Sequence, residues 1–137
     1  MARVLAIDYG GKRSGIAVTD PDQIIATPLT TVLSKDLVAF LKAYVVSEKV
    51  ERFVVGLPKK MDNSNSDSAR FIEPFVVNLT RQFPDIPVDR VDERFTSKIA
   101  FQAMIDSGMK KKDRQNKATV DKISAAIILQ SWLTSKH

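Results

Sequence analysis

The sequence predicts an α/β protein: a mixed five-stranded sheet that opens with an antiparallel hairpin, continues in parallel strands and is flanked by helices on both faces. Three observations carry this. Two short apolar runs, "RVLAID" and "SGIAVTD", are separated only by the glycine-rich turn Tyr9–Arg13, which reads as a hairpin. After Ser34 the apolar spacing changes from two residues to three and four. From there compact apolar runs alternate with helical patterns, the order expected of parallel strands joined by crossover helices.

"QIIATPLTTV" follows the hairpin as a third strand, and Pro28 within it points to an edge position or an irregularity. Leu37, Phe40, Leu41, Tyr44 and Val45 recur at helical spacing, with Ser34 or Asp36 near the helix start. "RFVVGLP" is a compact strand stopped by Gly56 and Pro58. "KKMDNSNSDSA" is polar and turn-rich, a loop by composition. Phe71, Phe75 and Leu79 indicate a second helix, which must either kink at Pro74 or begin late. "IPVDRVDE" is the last strand. "TSKIAFQAMIDSG" reads as a helix capped by Thr96 or Ser97 and ended by Gly108, and "ATVDKISAAIILQSWLTS" as a strongly apolar final helix. No repeat or internal boundary is visible, so residues 1–137 are read as one domain.

Composition narrows the chemistry. Hydrophobic residues make up 44% and charged residues 27%, as in soluble globular proteins. No run is apolar for long enough to span a bilayer, and "MARVLAID" lacks the parts of a secretion signal, so the cytoplasm is the expected compartment. There is no cysteine, which excludes disulfides, thiolate zinc sites and cysteine nucleophiles, and the one histidine is His137, which argues against a Ser-His-Asp triad or a histidine-rich metal site. Catalysis then rests on carboxylates, Lys/Arg, hydroxyls or a metal held by oxygen. The net charge of +5 favours a polyanionic partner such as nucleic acid.

Three acids stand at places where a site could form. Asp8 ends the first strand, Glu93 ends the last, and Asp121 is read in the first turn of the final helix. Adjacent central strands would set Asp8 beside Glu93, and a helix across that sheet edge would bring Asp121 to them. Three clustered carboxylates repel one another, and a divalent cation removes that problem. Mg²⁺ in particular takes oxygen ligands and needs neither histidine nor cysteine. Each acid also has a structural reading: Asp8 as a turn residue bonded to backbone amides, Glu93 as a partner of Arg94 or Lys98, and Asp121 as a complement to the helix dipole. Spacing alone leaves both readings open.

The blocks "LAIDYGGKRSGIAVTD", "VVGLPKKMDNSNSDSA", "VDERFTSKIA" and "VDKISAAIILQSWL" together resemble the YqgF/RuvX family, in family order and over essentially the whole chain. The resemblance implies an RNase H-like fold and kinship with the junction resolvase RuvC. It also implies that Asp8, Glu93 and Asp121 are the catalytic, Mg²⁺- or Mn²⁺-binding residues of a two-metal-ion nuclease. The implied substrate is the 5′ end of the small-subunit ribosomal RNA precursor, on or near the ribosome, with branched DNA as the alternative. Many members carry leucine and glycine where Lys59 and Asn63 stand, and alanine where Ser124 stands; the three acids are intact.

Substrate contacts fall into two groups. Lys12 and Arg13, in the glycine-rich turn, and Arg94, beside Glu93, are candidates to hold a phosphate or stabilise charge on it. Lys110, Lys111, Lys112, Arg114 and Lys117 form a basic run before Asp121 that suits a backbone-phosphate track, although such runs are also ordinary solvated surface. Two rival readings remain. "DYGGKRSG" resembles the first phosphate motif of sugar kinases and actin-like ATPases, which need a second such domain. A non-catalytic RNA-binding protein would keep the fold and the basic track. The oligomeric expectation is a monomer or weak homodimer.

Overall fold

The computed structural model describes residues 2–57, 69–92 and 117–136. Within them the chain runs β1 (Arg3–Asp8), β2 (Arg13–Thr19), β3 (Ala26–Leu33), a short 3₁₀ turn (Ser34–Asp36), α1 (Leu37–Ser47), β4 (Val50–Leu57), α2 (Ala69–Gln82), β5 (Val88–Asp92) and α3 (Lys117–Lys136). The helix read over "TSKIAFQAMIDSG" lies outside the described residues.

The five strands form one sheet in the order β3-β2-β1-β4-β5. β1 pairs antiparallel with β2 and parallel with β4, and β4 pairs parallel with β5. This is the mixed sheet that the opening hairpin predicts. Pro28 meets both of its expectations. It lies in the edge strand β3, and the β2–β3 register shifts between Ile16 and Ala17, where Ala17 faces Pro28.

Alternation along β1 divides the interior. Leu5 and Ile7 face one side with Leu37 and Leu41 of α1 and Ile72 and Leu79 of α2. Val4 and Ala6 face the other with Val54 and the α3 residues Ala125, Ile128 and Leu129. Ala6 and Ala17 are small, which lets α3 lie close against the central strands through its own Ala125 and Ala126.

The helix starts follow the sequence unevenly. Pro74 is the sixth residue of α2, past the first turn, so the helix does not begin late, and the ring removes the N–H that would bond the Arg70 carbonyl. Asp36 stands at the α1 N-cap, yet neither it nor the residue capping the 3₁₀ turn makes a side-chain cap bond. The Ser34 hydroxyl is used elsewhere, as described below. α3 begins at Lys117, so Asp121 is in its second turn rather than its first.

Candidate active site

Asp8 is the last residue of β1, half-buried at the carboxyl edge of the central strand. Alternation puts it on the α3 face, in line with Val4 and Ala6. Its cross-strand partner is Gly15 of β2, so the neighbouring position on that face carries no side chain. The next β2 residue on the same face is Arg13, half-buried at the strand start. A diagonal pair of this kind places its Cα atoms roughly 7–8 Å apart, within reach of a long cation. Lys12 is exposed at the tip of the turn.

The turn between β1 and β2 is held in place by serines. The fully buried Ser14 hydroxyl accepts the Gly10 N–H at 3.4 Å and lies 2.7 Å from the Ser34 hydroxyl. The Ser34 hydroxyl donates to the Gly10 carbonyl, and its own N–H donates to the Lys12 carbonyl at 2.9 Å. One residue at the end of β3 thereby fixes both sides of the turn that follows Asp8. Gly10 is required there, because a Cβ would lie 2.5 Å from the Arg13 carbonyl oxygen. Gly11 has open space around it. Beside Asp8, the Tyr9 ring stacks on Phe75 of α2 at 4.3 Å and 10°, anchoring the strand end from the opposite face.

Sequence reasoning missed this clamp. A serine within the apolar run of β2 was a signal, since a buried hydroxyl needs a partner. That partner is 20 residues away, at a position whose helix-start signal pointed to capping.

Asp121 is the fifth residue of α3, four before buried Ala125 and seven before buried Ile128, so its position falls on the sheet-facing stripe of the helix. Lys117 opens the same helix. Glu93 directly follows the last residue of β5. Glu93, Arg94, Lys110, Lys111, Lys112 and Arg114 lie outside the described residues, as does the loop "KKMDNSNSDS". Among the described residues no three acids or histidines form a metal-holding group. Nor is any described helix long and apolar enough to cross a membrane.

A second ionic cluster lies on the α3 face. Asp89 of β5 accepts from Arg52 of β4 at 2.8 Å and from the Trp132 indole N–H of α3 at 2.7 Å. Trp132 and Phe75 are buried and Phe40 packs against the core.

Comparison with known proteins supports the same architecture. A protein of Phocaeicola vulgatus is 62% identical over 136 residues, covering 99% of this chain and 98% of that one. One of Flavobacterium psychrophilum is 59% identical over 136 residues, covering 99% of each. Both carry the name "Putative pre-16S rRNA nuclease". The structure of T. thermophilus RuvC in complex with Holliday junction substrate superposes with a TM-score of 0.61 at 14% identity, over 98% of this chain and 95% of that one, which shows a shared fold. The RuvX family, described as Holliday junction resolvase, matches residues 2–135, and the chain belongs to it.

Proposed function

We propose that this protein is a divalent-metal-dependent nuclease that hydrolyses phosphodiester bonds in maturing the 5′ end of precursor 16S rRNA. The observation that carries the reading is the placement of Asp8. It is a carboxylate closing an otherwise apolar strand face, opposite a glycine and diagonal to Arg13, beneath the helix that bears Asp121. The relatives that share well over half of this sequence along its whole length carry the corresponding name.

The donor chemistry fits a hard cation. Asp8 offers carboxylate oxygen, the chain has no cysteine, and its one histidine is the last residue. Asp8, Glu93 and Asp121 would hold Mg²⁺ or Mn²⁺. Asp89 and Val91 of β5 lie on the α3 face, the face of Asp8. When bound, the ion supplies a polarised scissile phosphate and an activated water. Arg13, Lys12 and Arg94 would neutralise the phosphate as charge builds on it. Lys110, Lys111, Lys112, Arg114 and Lys117 would track the backbone on the approach to Asp121, giving salt-dependent affinity with little sequence preference. An rRNA substrate places the work in the cytoplasm, in contact with assembling ribosomal subunits.

Junction resolution is the second reading, favoured by the family description and the RuvC-like fold. It requires two copies acting on one substrate, whereas rRNA trimming needs only one. The test offers pure protein a precursor rRNA fragment and a four-way DNA junction, with Mn²⁺ or EDTA. We expect rRNA cleavage that EDTA and Asp8→Asn both abolish, from a protein that sediments as a monomer or weak homodimer. Cleavage by Asp8→Asn at the parental rate overturns the metal mechanism. Selective junction cleavage by a substrate-bound dimer favours the second reading.

A further inference from the structure

We infer that the Trp132–Asp89 hydrogen bond sets the rotation of α3 on the sheet, which makes both residues positioning residues for the acid at position 121. The inference rests on the metal reading of Asp8, Glu93 and Asp121. Asp89 divides its carboxylate between two elements: Oδ1 accepts from Arg52 of β4 and Oδ2 from Trp132 of α3. The strand that leads into Glu93 is thereby joined to its neighbour and to the helix that carries Asp121. Arg52 fixes the carboxylate, and the carboxylate fixes the indole.

Helix geometry transmits that constraint. Positions 121 and 132 are eleven residues apart, which at 100° per residue returns to within about 20° of the same line along the helix, roughly 16 Å away. The rest of the α3 stripe is Ala125, Ala126, Ile128, Leu129 and Leu133. Apolar contact of this kind is non-directional and tolerates a small roll of the helix. A hydrogen bond from an indole to a charged oxygen does not. A roll of about 10° displaces a group some 5–6 Å from the helix axis by about 1 Å. Errors of that size cost an active site on the order of a hundredfold.

The test compares five variants of the full chain with the parent. Each metal-free protein is titrated with Mn²⁺, its melting temperature is recorded, and kcat and KM are measured on the precursor rRNA fragment. Trp132→Phe keeps the ring and removes the donor; we expect Mn²⁺ affinity and kcat to fall roughly tenfold or more, as when outer partners of metal ligands are lost, with KM unchanged. Asp89→Asn, whose amide oxygen can still accept the indole N–H, should retain most of what Asp89→Ala loses. Leu79→Ala, on the opposite face of the sheet, should lower the melting temperature and leave Mn²⁺ affinity intact. Parental Mn²⁺ affinity in Trp132→Phe, or an equal loss in Leu79→Ala, overturns the inference. Asp8→Asn, titrated in parallel, separates the two claims. If it fails to bind while Trp132→Phe binds normally, only the positioning role falls; if it binds normally, the metal reading falls and takes the inference with it.

Discussion

At the scale of single residues, two adjacent glycines that look alike in sequence do different work. A Cβ on Gly10 would meet a backbone carbonyl oxygen at 2.5 Å, and the backbone there is held by the Ser14 and Ser34 hydroxyls, so it cannot retreat cheaply. A Cβ on Gly11 would meet nothing within 4 Å. Gly10→Ala is therefore expected to cost about 1–3 kcal/mol, as overpacking does, and to reduce cleavage by shifting the turn after Asp8. Gly11→Ala should stay within about 0.5 kcal/mol of the parent. Urea unfolding of the two variants, with cleavage rates alongside, reads both effects. Equal costs would mean that the turn is not clamped as described. The residue types of the site were legible in the sequence, because a strand-end acid followed by glycines and cations is a local pattern. The clamp was not, because it joins Gly10 and Ser14 to a serine beyond two further strand segments. Local pattern reveals which groups are present, and long-range bonds decide which of them are fixed.

At the scale of elements, strands and helix interiors were legible because burial imposes a period of two or of 3.6 residues on many positions at once. Element starts were less so, since each depends on one or two capping groups that can be drawn elsewhere. Ser34 leaves the start of α1 for the β1–β2 turn, and α3 begins at Lys117, ahead of the predicted residue. The β2–β3 connection shows a polar residue doing what its local sequence suggests. Asp20 accepts the backbone N–H groups of Ile24 and Ile25, each at 2.8 Å, and that of Asp22 at 3.2 Å, beside Gln23 at φ 58°. The bonds from Ile25 and Ile24 stabilise the charged carboxylate and lower its pKa from the usual 3.8. A depressed folded-state pKa contributes stability above the ordinary carboxylate range, and that contribution is lost as pH falls through the folded value. Asp20→Asn should accordingly lower the urea midpoint at pH 6 and have a smaller effect at a pH below the lowered folded-state pKa, where the parent's carboxylate is itself protonated. An effect of the same size at both values would remove the charge from the explanation.

At the scale of the whole molecule, the proposed site sets the stability of the sheet against its function. β1 is central, joined to β2 on one side and β4 on the other, and the two interior clusters lie on its two faces. A strand so placed would be most stable if it ended on an apolar residue, as its buried positions Val4 to Ile7 would allow. It ends instead on Asp8, which the metal reading gathers with two more acids at the edge of the same face. On that reading, mutual repulsion among them opposes folding without a cation, and binding energy available only to the folded chain favours it with one. At a metal concentration one hundred times the dissociation constant, that linkage is worth about 2.7 kcal/mol. For a chain of this size it corresponds to roughly 8–12 °C in melting temperature. Millimolar Mn²⁺ or Mg²⁺ should therefore raise the melting temperature of the parent protein. Asp8→Asn should melt higher than the metal-free parent and gain nothing further from metal. The opposite changes separate a functional acid from a structural one, because a carboxylate that merely capped its turn would lower the melting temperature when replaced and leave the response to metal untouched. Differential scanning fluorimetry with and without EDTA distinguishes these outcomes, and a full metal response in Asp8→Asn would take this carboxylate out of the site.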